Sequence, residues 1–436
     1  MIFEIENIGK VPEARLEMRG ITVLAGKNST GKSTFGKALY CMFNGFYESD
    51  KGIIRVRKSD IERVIVQHSR LNPRQFSQIE VLAENILDKK DTLQEVQNLV
   101  QDAVEQRVII PYEGDNPTEK LVTKIADWLK VSDEEIQKTI LGKHIAAEFE
   151  GQTTHVNHPK EHGVISLSFK NEQFKLSAHV GKDSMGDDGC IKYTKKADIT
   201  NRAFYVDTPF AIDTINQDFF NSMSYRRNPV FKYNHRYNTS KHFYSSDNGN
   251  SITEEVISKK KLKGVLEHIY SAVPGRFVKM KSGRLGFQEP GLEEPLELVN
   301  VSAGMKLFLI IRRLLENGSI KEEDVLILDE PEIHLHPAWQ IKFAEMLVLL
   351  QKAFDLTILL TTHSPYFLRA IEVYTEKEGI ATDRCDYYYL TKDEKGCFHI
   401  QEVTKETDKV YKELAEPFLE LNNAYYEYKE RTSSLR

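Results

Sequence analysis

Residues 1–24 alternate apolar and polar positions and predict short strands, the clearest being the β-branched run Ile21, Thr22, Val23, Leu24, which ends in Ala25 and Gly26. A helix is expected from Lys32 to about Phe43. Between 51 and 150 the apolar residues return every three or four positions, as in 79–87 and 93–104, and further helices are expected over 119–130 and 133–149. Pro111 and the cluster Gly114, Asp115, Asn116, Pro117 break this stretch with a turn. After Gly151 the period changes to two, and 164–169, 174–180 and 203–206 read as strands. The segment 213–252 is rich in Asn, Ser, Tyr and Arg without firm periodicity, which predicts a long loop. A helix at 253–272, strands within 276–288 and a helix over about 303–317 follow. Two short, wholly apolar runs, 325–328 and 356–360, enclose a helical 338–353, the pattern of a βαβ unit in a buried parallel sheet. Strands at 386–390 and 397–403 and a helix over about 408–431 close the chain.

The expected fold is α/β, a mixed sheet flanked by helices and interrupted by a large, mostly helical insertion. Its expected division is a head formed by 1–50 and 253–372, the insertion at 51–150, strands at 151–212 completing the head, an insert at 213–252, and a C-terminal αβ cap at 373–436.

Charge narrows the partners. The 436 residues carry 59 Lys+Arg against 65 Asp+Glu, a net charge of −6, so any nucleic-acid contact must come from a local patch. Cys41, Cys190, Cys385 and Cys397 are scattered and form no CxxC pair, which points to a reducing cytosol. The N-terminus lacks the basic and apolar regions of a signal peptide, and no apolar run reaches the length of a membrane span. A cytoplasmic protein without membrane contact is expected.

Candidate chemistry begins at Gly26, Lys27, Asn28, Ser29, Thr30, Gly31, Lys32, Ser33 and Thr34, which match GxxxxGK[ST] in full between a strand and a helix. The glycines let successive N–H groups turn inward into an anion nest at a helix N-terminus. Lys32 would reach the β- and γ-phosphates of ATP, and the Ser33 hydroxyl would ligate Mg²⁺. The other reading is a Gly/Ser-rich turn that matches by chance.

A metal-bound nucleotide also needs carboxylates, and Asp329 and Glu330 follow the apolar 325–328 at the strand end where ligands of parallel sheets gather. Asp329 would hold Mg²⁺ through water, and Glu330 would orient or deprotonate the attacking water. His363 ends the next apolar strand and could sense the γ-phosphate. Ser302 opens the 303–317 helix with Gly304 close behind; it reads both as an N-cap and as a second anion site.

These four elements, in this order, resemble the ABC-type ATPase superfamily of P-loop NTPases. The wording Asp329, Glu330, Pro331, Glu332, Ile333, His334, Leu335, His336, Pro337, followed by Thr362, His363, Ser364, Pro365, looks like its soluble OLD-like and RecF/SMC-related branch. The resemblance covers 1–45 and about 295–370. It implies that 26–34 is the Walker A motif, Asp329 and Glu330 the Walker B pair, His363 the switch histidine, and Ser302 and Gly304 the signature, with His334–Pro337 in the D-loop position. It further implies ATP and Mg²⁺ as cofactors and a homodimer or higher assembly formed through the ATP sites. The signature departs from the usual Gln or Glu at Met305 and Lys306, where Lys306 is the expected substitute. Gln67 and Gln217 are the candidates for the Q-loop glutamine.

Relatives of the OLD type carry a C-terminal Toprim nuclease, but the residues after His363 are too few and lack acidic pairs at strand ends. A nuclease or toxin effector is therefore expected in a separate chain. Residues 224–245 interleave Arg226, Arg227, Lys232, Arg236 and Lys241 with aromatic rings and no acid, a composition suited to DNA contact or to a solvated loop. His155, His158 and His162 have an inviting metal spacing, but Pro159 prevents a helix from aligning them, and a polar loop is expected.

Overall fold

The computed structural model describes residues 1–71, 76–89, 92–112, 116–169, 174–181, 191–195, 198–216, 219, 231–245, 252–392 and 398–433. Strand Ile21–Gly26 is buried along its whole length, because its β-branched and aliphatic side chains are covered on both faces. It pairs in parallel with Thr357–Thr362 on one side and with Cys385–Lys392 on the other. Val325–Asp329 and Ala203–Val206 extend the sheet in parallel, and Phe398–Glu402 closes the opposite edge antiparallel, giving six strands. Helices Ala303–Glu316 and Pro337–Phe354 bury Leu307, Phe308, Ile311, Phe343 and Leu347 in the core shared with Val23, Leu326 and Leu360.

A second, antiparallel sheet runs in the order Val11–Glu17, Ile2–Ile8, Gly163–Phe169, Phe174–Val180, Ile191–Lys195. The strands expected within 151–212 thus divide between two sheets, and only Ala203–Val206 joins the parallel one. The segment expected as a C-terminal cap also differs: Cys385–Lys392 lies directly beside the P-loop strand, since its run of buried residues suits an interior position.

The chain divides into two compact units, one of 1–44, 142–197 and 201–436, the other of 45–141 with 198–200. The second is built from helices Ser49–His68, Phe76–Asp88, Leu93–Glu105 and Pro117–Leu129, whose three- and four-residue spacing gathers Ile61, Ile65, Ala83, Val100 and Ile125 into their own core. Within it Arg57 is buried against Asp133, and Lys58 pairs with Glu80 and Glu84.

The largest departure from the sequence reading lies in 213–252. Phe231–Tyr233 forms a 3-10 turn and His235–Tyr244 an α-helix capped by Asn234, whose side chain accepts from the Arg236 N–H. The helix lacks an apolar stripe because His235, Thr239 and Ser240 are buried beside Tyr237 and Phe243, so a hydrophobic period could not reveal it. Arg226, Arg227 and Gln217 lie outside the described residues.

Candidate functional site

The P-loop follows its strand without a break. Gly31 takes a φ of +92° and Ser29 a φ of +64°, the left-handed conformations that curl the chain before the helix Lys32–Phe46. Lys32 is buried, and its ammonium donates to the carbonyls of Gly26 and Lys27, each at 2.9 Å. Thr30 closes the turn onto the Lys27 carbonyl at 2.9 Å. Residues Ser29, Thr30, Gly31, Lys32, Ser33 and Thr34 line a cavity of about 340 Å³, completed by Lys10, Lys37, Phe149, Gln152 and Glu330 among others.

Glu330 reaches this cavity from the end of strand Val325–Asp329. Its φ of +47° is a conformation that non-glycine residues rarely adopt. Its N–H is held by the Thr361 hydroxyl at 2.9 Å, and its carboxylate stands 3.0 Å from the Lys32 ammonium. His363 Nδ1 lies 3.6 Å from the same Glu330 oxygen and 3.6 Å from Glu332. His363, ahead of Lys32, pulls the Glu330 carboxyl down to about 2, against the opposing effect of burial. Glu330 in turn raises His363 above its ordinary value.

Asp329 is held from two sides. The Thr361 hydroxyl donates to Oδ1 at 2.5 Å, and the Tyr205 hydroxyl donates to Oδ2 at 3.1 Å. Asp329 and Ser33 offer oxygen donors only, the hard set that suits Mg²⁺, which keeps several waters and adds one or two carboxylates and phosphate oxygens.

Ser302 caps its helix, accepting from the Met305 N–H at 3.4 Å. Gly304 packs so closely that a Cβ there would come within 2.8 Å of the His334 carbonyl oxygen. Neither residue lines the P-loop cavity. Lys306 corrects an expectation: it is buried, pairs with Asp213 at 2.6 Å, donates to the Val299 carbonyl and lies over the Phe210 ring. Its ammonium serves the interior and does not replace the usual γ-phosphate contact of the signature, because the fourth position of this helix faces the core.

Sequence reasoning missed three residues. Glu332 is buried and accepts from the Thr362 hydroxyl at 2.5 Å and from the N–H groups of His363 and Ser364 at 2.8 and 3.3 Å, pinning the histidine loop to the acidic loop. Burial raises its carboxyl above the ordinary range. Only its place as the third acid of the Asp-Glu-Pro-Glu run could have signalled it. Gln152 faces the cavity after the turn at Gly151, whereas Gln67 sits in the helix Ser49–His68 of the other unit. Tyr205, the third, was legible only as a strand residue.

The basic insert is more engaged than its composition suggested. Arg236 makes a two-pronged contact with Asp207, and Lys232 lies over the Tyr233 ring. His155 and His158 stack at 5.5 Å, and no group of three metal-ligating side chains occurs among the described residues. No helix among them is long and apolar enough to cross a membrane.

Residues 201–369 match the family model described as "AAA domain, putative AbiEii toxin, Type IV TA system". This segment of the chain is similar to that AAA domain family. The matched segment contains Ser302, Gly304, Asp329, Glu330 and His363, while the P-loop lies outside it and joins through the sheet pairing of Ile21–Gly26 with Thr357–Thr362. Among solved structures the chain is similar to the SMC head domain from Thermotoga maritima, at 10% identity over 92% of this chain and 98% of that one, with a TM-score of 0.37. It is also similar to an Smc head domain with an extended coiled coil bound to the C-terminal domain of ScpA derived from Pyrococcus furiosus, at 11% identity over 95% of this chain and 98% of that one, with a TM-score of 0.41.

Proposed function

We propose that this ATPase binds ATP with Mg²⁺ at Lys32, Ser33 and Asp329, hydrolyses it at Glu330, and uses ATP-dependent dimerisation to control a separate effector, a nuclease or toxin, in anti-phage defence. One observation carries the catalytic part: Glu330 stands within ion-pair reach of Lys32 from the P-loop and of His363 from the neighbouring strand. Bound Mg²⁺ would neutralise phosphate charge as the terminal phosphoryl group leaves. Lys32, turning from Glu330 toward phosphate, would relieve the carboxylate of one neighbouring cation and leave it a better acceptor for a water proton. His363, raised by Glu330 and Glu332, would offer its imidazole as a hydrogen-bond donor to the terminal phosphate.

Dimerisation draws support from the signature, because Ser302 and Gly304 do not line the P-loop cavity of their own chain. The matched family's toxin–antitoxin description supports a two-component arrangement with an effector. A RecF-like ATPase clamping DNA is the alternative. It draws less support, since Arg236 and Lys232 of the basic insert are engaged by Asp207 and the Tyr233 ring within the chain.

The test pairs phosphate release by the purified protein with light scattering in ATP, alone and after co-purification from its native host. Mg²⁺-dependent turnover, ATP-dependent dimers and a stable co-purifying protein are expected. ATP-dependent, salt-sensitive DNA affinity without a protein partner favours the clamp, and absence of turnover removes both readings.

A further inference from the structure

The carboxylate assigned to the metal leans on a residue that no phosphate-site pattern contains. Tyr205 belongs to Ala203–Val206, pairs with Ile327 across the sheet, and so shares a face with Asp329 two positions on. Its ring is fully buried, and its hydroxyl finds its partner in Asp329 Oδ2. Thr361 alone would leave that carboxylate free to swing about one anchored oxygen. With Tyr205 on the other oxygen, its plane is fixed.

Tyr205 is itself clamped by ions. Its ring stacks on His235 with centroids 4.2 Å apart and planes 27° apart, and the Tyr40 ring of the P-loop helix lies 6.3 Å away. His235 is buried between two carboxylates: Nδ1 stands 2.6 Å from Glu148 and Nε2 3.0 Å from Asp207. The His235 N–H donates to the second Glu148 oxygen at 2.7 Å, and Arg236 covers Asp207 from outside. Two cations thus balance two anions, the condition under which a buried ionic cluster holds one geometry. The same helix grips the strand backbone, the Thr239 hydroxyl donating to the Tyr205 carbonyl at 3.1 Å.

We propose that Tyr205 is a positioning residue that orients Asp329 for Mg²⁺, and that the helix His235–Tyr244 keeps Tyr205 in place through the His235, Glu148 and Asp207 cluster. The segment expected to be a nucleic-acid loop then supports the metal site. The inference rests on the ATPase reading above. A mere packing role would need the ring but not the hydroxyl, which makes Tyr205→Phe the discriminating variant.

The experiment titrates methylanthraniloyl-ATP binding at a series of magnesium concentrations and in EDTA, without reliance on turnover. For Tyr205→Phe the half-saturating magnesium concentration should rise about three- to tenfold, as expected for losing one hydrogen bond of ordinary net strength. Nucleotide affinity in EDTA and the melting temperature should stay near wild type. His235→Gln should raise the magnesium requirement similarly, and the double variant should be no worse than Tyr205→Phe alone, because both act through one carboxylate. An unchanged magnesium requirement in a folded Tyr205→Phe protein overturns the proposal. Wild-type protein that fails to bind the nucleotide, or binds it equally with and without magnesium, overturns the ATPase reading instead.

Discussion

The Lys32 ammonium and Glu330 Oε1 stand 3.0 Å apart, joining the start of the P-loop helix to the end of a strand that lies far away in the chain. The contact makes Glu330→Gln informative. The amide keeps the shape but can no longer take a proton from water, so turnover should fall about 10²- to 10⁴-fold while ATP binding persists. Single-turnover hydrolysis and light scattering in ATP check this, with a trapped nucleotide-bound dimer as the expected product. Wild-type turnover in the variant would show that Glu330 is not the catalytic carboxylate.

Lys32→Ala should remove nucleotide binding altogether. It also strips the donor shared by the Gly26 and Lys27 carbonyls, leaving the P-loop less fixed. Fluorescent-ATP titration, with circular dichroism as the folding control, measures both effects. Retained affinity in a folded variant would move the phosphate site elsewhere.

Glu332 should prove structural as well as functional. Replacement by Ala leaves the Thr362 hydroxyl and the His363 N–H without their acceptor, at a cost of about 1–3 kcal/mol for each group left unsatisfied, while the Ser364 N–H keeps the Thr362 hydroxyl oxygen at 3.0 Å. Glu332→Gln retains an acceptor oxygen and should be milder. Urea unfolding of the two variants gives the comparison, and equal losses would point to the charge as the important element.

Stability should peak near neutral pH for a reason visible in two buried histidines. Burial works against a charged His235, but Glu148 and Asp207 outweigh it and raise the ring to about 9. Its stabilisation is therefore full below its unfolded value of 6.5 and lost as pH rises through 9, with a slope approaching about 1.4 kcal/mol per pH unit. Burial lowers His144 to about 4, beside the Tyr40 and Tyr233 rings, so stability also falls as pH drops from 6.5 toward 4. Urea midpoints at pH 5, 6.5 and 9 test the shape. His235→Gln should flatten the alkaline limb, and an unchanged limb would mean the cluster does not hold a charged ring.

At the signature, Ser302→Ala removes a helix cap, worth about 1 kcal/mol. Gly304→Ala should cost more, since the new methyl meets the His334 carbonyl oxygen at 2.8 Å and the backbone must yield. Thermal melts should rank the two in that order. Both variants should bind ATP yet fail to dimerise, if these residues face a second protomer.

What could be read in advance depended on range. The P-loop, the βαβ unit around Pro337–Phe354 and the capped helix Ala303–Glu316 each rest on local spacing, so their residues declare them. The helix His235–Tyr244 does not, because its inward face is polar and is satisfied by Glu148, Asp207 and Tyr205 from elsewhere. Lys306 misled for a related reason: a lysine beside a phosphate motif suggests phosphate, until Asp213 is found within reach.

The sequence by itself determined the chemistry available, a phosphate nest, two strand-end carboxylates, a histidine and a capped glycine turn, because these depend on residues adjacent in the chain. Tertiary structure alone decided which carboxylate meets Lys32, what orients Asp329, and which cations are already spent within the fold. Those outcomes follow from pairings between distant strands, where a partner's distance along the chain leaves no mark in local pattern.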